Sequence, residues 1–569
     1  MRRGIAVFAA SILAVSAAAF IQGCDMKGEK GNVAAEAVFY NGRIYTMNES
    51  DPFAKAVVVG GGRILFVGTS EEAVAFAGTG AKKFNLGGMT VIPGLVDAHA
   101  HFVGYAASRA ALDLNGTLSV DQIRERLKAE TAVAHRGRWI TGRGWDQNDW
   151  EKKQFPDRSD LDRVSPENPV LLTRVCGHAA IANSMALEVA GIGADTPDPD
   201  GGKIERDASG EPTGILLDDA ISLVRKVVPS PTPEEKKKLM IDAAQACLAA
   251  GLTGTHEMGI GSETAGIYRE LYEAGELPFR ITAYFDGDAA DLDSVLAAGP
   301  VDDFAGGMFS LAGVKFYGDG SLGARSAAML EDYSDDPGNR GIIVTDPDLL
   351  YEKVLTCHRS GFQVATHAIG DRANRTVLDI YEKVLGEVPG TGLRHRIEHA
   401  QIISPEDIGR FASLGVIPSM QFIHCTSDMP WVPDRVGDDR TRGAYAWRTL
   451  MDAGSRIPGG SDYPVEPIDP LLGIYAAVSR QSPDGTPAGG WAPEQRLTIE
   501  EAVRAYTLDA AWASGKEDER GSIEKGKLAD LTILGTDIMK VDPGEIPGIE
   551  IIATVLAGKI EYRADGAPF

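Results

Sequence analysis

Val91-Ile92-Pro93-Gly94-Leu95-Val96-Asp97-Ala98-His99-Ala100-His101 is the stretch on which the fold turns. It is an apolar run that ends in two imidazoles. Side chains of a strand alternate faces with a period of two. His99 and His101 therefore point the same way, close enough to grip one ion. Placing two imidazoles at the end of a buried strand is costly unless something binds there. Histidine is also the commonest metal ligand, through a neutral ring nitrogen. A lone His-x-His is only moderately specific, so the surrounding chain decides its meaning.

Downstream, short apolar runs alternate with helical stretches. The candidate strands cover 91–98, 254–258, 280–285, 311–316, 363–367, 394–399, 416–421 and 457–462. Segments 234–250, 348–360 and 373–385 carry helical periodicity between them. Eight strands with intervening helices predict an α/β chain built on a (β/α)8 TIM barrel. The gap after the first strand is too long for one βα unit. An insertion of about 113–231 is expected there, with strands near 139–143 and 170–175. Strand-like segments with hairpin glycines occupy both ends of the chain, at 37–47, 56–69, 521–534 and 549–562. They predict a small β-sandwich domain made of 34–90 and 481–569, around a barrel of 91–480.

Barrel active sites are built at the C-terminal ends of the strands. Polar residues collect there: the His99–His101 pair on the first strand, Lys315 in the fourth, His367 ending the fifth, His399 ending the sixth and Asp462 ending the eighth. Glu398 precedes His399, so strict alternation sends it toward the helices. His256 and Glu257 end the second strand and read as pocket support. His135, His358 and His395 read as surface or core residues.

The local phrases Gly313-Val314-Lys315-Phe316, Asp319-Gly320-Ser321-Leu322-Gly323, His367-Ala368-Ile369-Gly370-Asp371-Arg372-Ala373-Asn374, Arg396-Ile397-Glu398-His399-Ala400-Gln401 and Gly460-Ser461-Asp462-Tyr463-Pro464-Val465 resemble the amidohydrolase superfamily. Within it they resemble the YtcJ-like branch, the amidohydrolase 3 type. The resemblance runs from about 38 to 562.

It implies metal ligands at His99, His101, Lys315, His367, His399 and Asp462, for one or two divalent ions, with zinc expected. Lys315 either carries a carbamate that bridges two ions or stays unmodified beside one. A lysine amine reacts with carbon dioxide only when neutral, and burial depresses its pKa. Asp462 is the implied acid/base. A metal lowers the pKa of a bound water from 15.7 to about 7. Asp462 would orient that water, take its proton and return one to the departing nitrogen. The implied activity is hydrolysis of an amide-type C–N bond that is non-peptide or terminal. An ester, lactone or cyclic-urea hydrolase on the same site is an alternative, as is a non-catalytic exported binding lipoprotein. Substrate contacts are expected from His178 in the insertion and from Asp319, Arg325, His424 and Trp431. Phe102, Trp145, Phe422, Trp431 and Tyr463 are expected near the mouth, where they would favour an apolar or aromatic substituent.

Composition narrows the partners. The 569 residues carry 81 acidic against 56 basic side chains, a net charge of -25. Nucleic acid needs a clustered positive field, so the expected partner is a small-molecule substrate. A homodimer stays open. Arg2 and Arg3 precede an uncharged run from Ile5 to Ile21, the pattern of a secretory signal over 1–24. Ile21-Gln22-Gly23-Cys24 resembles a bacterial lipobox, which makes Cys24 the expected lipidation site. Residues 25–33 read as a polar tether. The expected location is export, as a periplasmic protein or a membrane-anchored lipoprotein of a bacterium, with an uncleaved anchor as the alternative. Cys176, Cys247, Cys357 and Cys425 show no CxxC spacing and are expected to be buried free thiols.

Overall fold

The computed structural model describes residues 33–174, 177–199 and 201–569. The signal segment with Cys24, the tether up to residue 32, and Cys176 lie outside the described residues. Among the described residues no helix is long and apolar enough to cross a membrane.

Eight parallel strands form the central sheet: β1 (Leu95–Ala100), β2 (Leu252–Ile260), β3 (Arg280–Asp286), β4 (Phe309–Tyr317), β5 (Gln363–Ala368), β6 (Arg396–His399), β7 (Ile417–Gln421) and β8 (Gly459–Gly460). They pair in chain order. Backbone bonds at the top tie the last to the first: Asp462 N–H donates to the His99 carbonyl and His101 N–H to the Tyr463 carbonyl, both at 2.8 Å. Gly460 permits that approach. A Cβ there would lie 2.7 Å from the His99 nitrogen and 2.9 Å from Asp97 Oδ1. Strands covered on both faces read as continuous apolar runs, and β1 is buried along its whole length.

The run 91–98, expected as one strand, is two. Thr90–Pro93 pairs with Arg43–Tyr45 and with Leu531–Leu534 in a side sheet, and the barrel starts at Leu95. Gly94 makes the break, since a Cβ there would lie 2.5 Å from the Thr253 side chain. Both pieces are buried and apolar, so periodicity does not register the turn between them.

The side sheet has six strands, ordered Lys559–Arg563, Ile551–Leu556, Leu531–Leu534, Thr90–Pro93, Arg43–Tyr45 and Phe53–Ala54. A four-stranded sheet packs with it, ordered Arg63–Gly68, Ala56–Gly60, Ala37–Tyr40 and Lys82–Asn85. Their shared core includes Phe39, Val57, Val59, Val91, Ile533 and Val555. Both chain ends therefore build one β-sandwich. Earlier in the C-terminal segment, the helix Leu508–Ala513 places Ala510 against Val96 and Ala98 of β1.

Residues 103–243 form a compact unit of their own. It contains a six-stranded mixed sheet in which Ile140–Trp145 and Val170–Arg174 lie parallel. Trp145, Trp150 and Leu172 are in its core. Cys247, Cys357 and Cys425 are buried thiols, as expected.

Candidate active site

The upper ends of the strands bring five imidazoles and one carboxylate together. β1 supplies His99, His101 directly follows it, β5 supplies His367 and β6 ends in His399. The helix Phe422–Asp428, directly after β7, supplies His424. Asp462 sits in the turn after β8 with a φ of 59°. The His99 and His399 rings are 4.7 Å apart, and those of His367 and His399 4.5 Å. His101 lies 5.8 Å from His99, and His424 lies 6.2 Å from His399.

Each imidazole is fixed from behind by an oxygen that only accepts. His99 Nδ1 is 2.5 Å from Glu398 Oε2, and His101 Nδ1 is 3.0 Å from the Met258 carbonyl. His367 Nε2 is 3.2 Å from the Gly320 carbonyl. His399 Nδ1 is 2.7 Å from Gln421 Oε1, and His424 Nδ1 is 3.1 Å from Glu466 Oε1. A ring that donates from one nitrogen can present a lone pair at the other. Such outer partners are what orient metal-binding histidines.

Asp462 Oδ1 lies 3.3 Å from His101 Nε2 and 3.5 Å from His99 Nε2, and its Oδ2 lies 3.5 Å from His424 Nε2. His99 Nε2 and Asp462 Oδ1 are nevertheless buried without an aligned hydrogen bond. An unsatisfied buried polar atom costs about 1–3 kcal/mol, so two facing each other mark a cradle for a third party. The trios His99/His101/Asp462 and His399/His424/Asp462 each bring ligand atoms within 4.8 Å of one another. Imidazole nitrogens with a carboxylate oxygen suit a divalent ion.

The electrostatics agree. Burial and the nearby Lys315 charge push His367 down to about 3. Burial and the neighbouring rings of His367 and His99 hold His399 well below the usual imidazole range. Both rings are thus held in the neutral form that a metal ligand needs. Burial opposes charge on Asp462, but His101, His424 and His99 outweigh it and hold the carboxyl well below its usual range. Burial also opposes charge on His424, yet Asp462 and Glu466 raise it to about 10. Lys315 is buried on β4, and burial lowers its amine to about 8.

The remaining expected residues fall in different places. Asp319 is buried beside His367, with Oδ1 3.5 Å from His367 Nε2. It accepts the backbone N–H groups of Ala328, Ile369 and Gly370 at 2.8–2.9 Å. Its carboxylate thus fastens the loops after β4 and β5. Arg325 forks onto Asp335 at 2.9 and 3.0 Å. Trp431 is half-buried, with the Arg435 guanidinium 5.4 Å from its ring centroid. His178 is exposed on the inserted unit, 3.0 Å from Asp218 Oδ1.

His256 is buried in the barrel interior and meets Arg396 at 2.8 Å. Glu257 accepts the Phe102 N–H. His135 is exposed. His358 and His395 are core residues bonded to each other at 2.8 Å.

Two expectations are corrected. Glu398 does not face the helices. It points into the barrel with Arg396 and holds His99. Strict alternation fails one residue later, where His399 and Ala400 have φ values of 74° and 46°. The chain has left extended geometry there, so adjacent residues both reach the interior. The second correction concerns the aromatic rim. Phe102, Phe422 and Tyr463 are fully buried, and Trp145 belongs to the core of the inserted unit. Phe102 stacks on Phe279 at 5.5 Å, and Phe422 packs on Trp447 at 4.9 Å. Proximity to a strand end in sequence did not fix the side-chain direction.

Sequence reasoning passed over Asp97, Ser461, Gln421 and Glu466. Asp97 accepts the His99 and Ser461 N–H groups and the Ser461 hydroxyl. Its place two residues before His99 was a usable signal. Gln421 ends β7, so the strand-end rule also pointed to it.

The sequence profile of the Amidohydrolase family matches residues 82–562. The chain belongs to that family. It is 37% identical to the putative amidohydrolase YtcJ of Bacillus subtilis, over 93% of this chain and 99% of that one. It is 29% identical to the N-substituted formamide deformylase of Arthrobacter pascens, over 94% and 99% of the two chains. The crystal structure of an uncharacterized metal-dependent hydrolase from Pyrococcus furiosus is similar with a TM-score of 0.74 and 31% identity, covering 89% of this chain and all of that one.

Proposed function

We propose that this amidohydrolase-family hydrolase depends on a divalent metal, zinc first, and cleaves an amide-type C–N bond that is non-peptide or terminal. The observation that carries this is the facing pair of buried, unbonded atoms, His99 Nε2 and Asp462 Oδ1. The deformylase relative, whose name describes action on N-substituted formamides, supports the choice of bond.

His99, His101 and Asp462 would hold one ion, with His367, His399 and Lys315 completing the set. Lys315 carrying a carbamate is part of this proposal, and its burial beside that set supports it. What a divalent ion supplies in such a cradle is Lewis acidity, which acidifies water and polarises a carbonyl. The chain supplies the rest. Asp462, ionised and fixed by the turn after β8, orients the attacking water and accepts its proton. It then delivers a proton to the leaving nitrogen, a poor leaving group until protonated.

The test pairs metal content with turnover on a panel of C–N and C–O substrates. Chelator-stripped protein should lose activity and regain it with zinc. Asp462→Asn should lose about 10²–10⁴-fold in kcat while still taking up metal. Full activity in the stripped chain overturns the metal dependence, and unchanged turnover in Asp462→Asn overturns the role of that carboxylate.

A further inference from the structure

We infer that Glu398, clamped by Arg396, is the positioning residue that fixes the metal-facing form of His99. This rests on the metal-hydrolase reading above. Both Glu398 and His99 are fully buried, and Glu398 Oε2 lies 2.5 Å from His99 Nδ1. Arg396 donates to both Glu398 oxygens, so that carboxylate is placed to accept from His99 Nδ1, and His99 Nε2 is left facing Asp462 at 3.5 Å. His101, His367 and His399 are held by neutral carbonyl or amide oxygens instead. His424 also has a carboxylate behind it, Glu466, but at the longer distance of 3.1 Å and with no arginine bonded to that carboxylate among the described residues. A charged acceptor binds an imidazole N–H more strongly than a neutral one and makes the ring a better donor to a metal.

Arg396 removes the remaining freedom. Its Nε and Nη2 meet Glu398 Oε1 and Oε2 at 2.7 and 3.1 Å. Nη2 also reaches the Ala98 carbonyl at 2.6 Å and Ser419 Oγ at 2.7 Å. Nη1 donates to Tyr284 at 3.0 Å and to His256 Nδ1 at 2.8 Å. One guanidinium therefore holds both the backbone just before His99 and the carboxylate behind its ring. The carboxylate cannot rotate away, and His99 cannot turn Nδ1 to the cradle without breaking the shortest imidazole contact in the site.

The experiment measures zinc affinity of the chelator-stripped full chain by competition with a chromophoric chelator. It also records the visible bands of the cobalt(II)-loaded protein. Glu398→Gln should bind zinc 10–100-fold more weakly, on the order of other such outer carboxylates, with shifted cobalt bands. Arg396→Lys keeps a charge but loses the planar fork, and should show a smaller loss that still exceeds about threefold. Asp530→Asn is the structural control. It breaks another buried arginine pair, Arg280–Asp530 at 2.6 and 2.9 Å, and should lower the melting temperature while leaving zinc affinity unchanged. Affinity within about threefold of wild type in folded Glu398→Gln overturns the inference, as does an equal loss in Asp530→Asn. If Glu398→Gln does not fold, Arg396→Lys decides on the same threshold. A wild-type chain that takes up no zinc overturns the metal reading itself, an outcome distinct from the others.

Discussion

Two neighbouring groups of the barrel interior, the Arg396–Glu398 ion pair and the His99–Asp462 pair above it, treat buried polar atoms in opposite ways. In the lower pair, both oxygens of Glu398 and all three nitrogens of Arg396 have partners. In the pair above, His99 Nε2 and Asp462 Oδ1 face each other without an aligned bond. Burial is similar in both. Native interiors leave few polar atoms unsatisfied, and those exceptions call for a specific cause. The lower pair shows that this barrel can satisfy buried charge completely. The open atoms above lie in the trio His99, His101 and Asp462, whose ligand atoms come within 4.8 Å of one another, an arrangement consistent with a divalent ion, with the Arg396–Glu398 pair below it.

The largest expected effect would break the lower pair. Arg396→Met leaves the Glu398 charge buried without its partner, and removing one member of a buried pair costs about 3–5 kcal/mol. Urea unfolding of the metal-stripped chain measures it. A loss below about 1 kcal/mol would mean that the clamp is not the support of the upper pair. The next effect tests the upper pair. A ligand that binds only the folded state at 100 times its Kd adds about 2.7 kcal/mol. Zinc at that excess should stabilise the stripped chain by that amount. No gain in stability would remove the reason for leaving His99 Nε2 and Asp462 Oδ1 open.

The two pairs also differ in how far they could be read in advance. The His99–His101 pair was legible because His99 lies on β1 and His101 follows its last residue, so period-two spacing still brings both to Asp462. The eight-strand barrel was legible from apolar runs alternating with helical stretches, and the sandwich from strand-like segments with hairpin glycines at both chain ends. Glu398 was misplaced because the rule was carried one residue too far, past the point where His399 adopts a positive φ. The division of 91–98 at Gly94 was hidden because both halves are buried. Gln421 and Glu466 hold their histidines from other elements of the chain, at separations of 22 and 42 residues. Only the fold supplies such contacts.

The smallest effect concerns the stitch between β1 and the turn that carries Asp462. Ser461 Oγ donates to Asp97 Oδ2 at 2.7 Å and accepts the Tyr463 N–H at 3.2 Å. Asp97 Oδ1 in turn accepts the His99 N–H at 3.0 Å. Burial pushes the Asp97 carboxyl up to about 7, so near neutral pH the bond from Ser461 is weaker than one to a full charge. Ser461→Ala should therefore cost only about 1 kcal/mol of stability. Its effect on turnover should be larger than that figure suggests. Asp462 acts through its position relative to His99, and a displacement of about 1 Å can cost up to 10²-fold in rate. The expected result is a fall in kcat of roughly tenfold with KM little changed. A loss of stability with kcat intact would show that the turn holds Asp462 without Ser461. The backbone bonds that close β8 onto β1 would then be sufficient to position the acid/base.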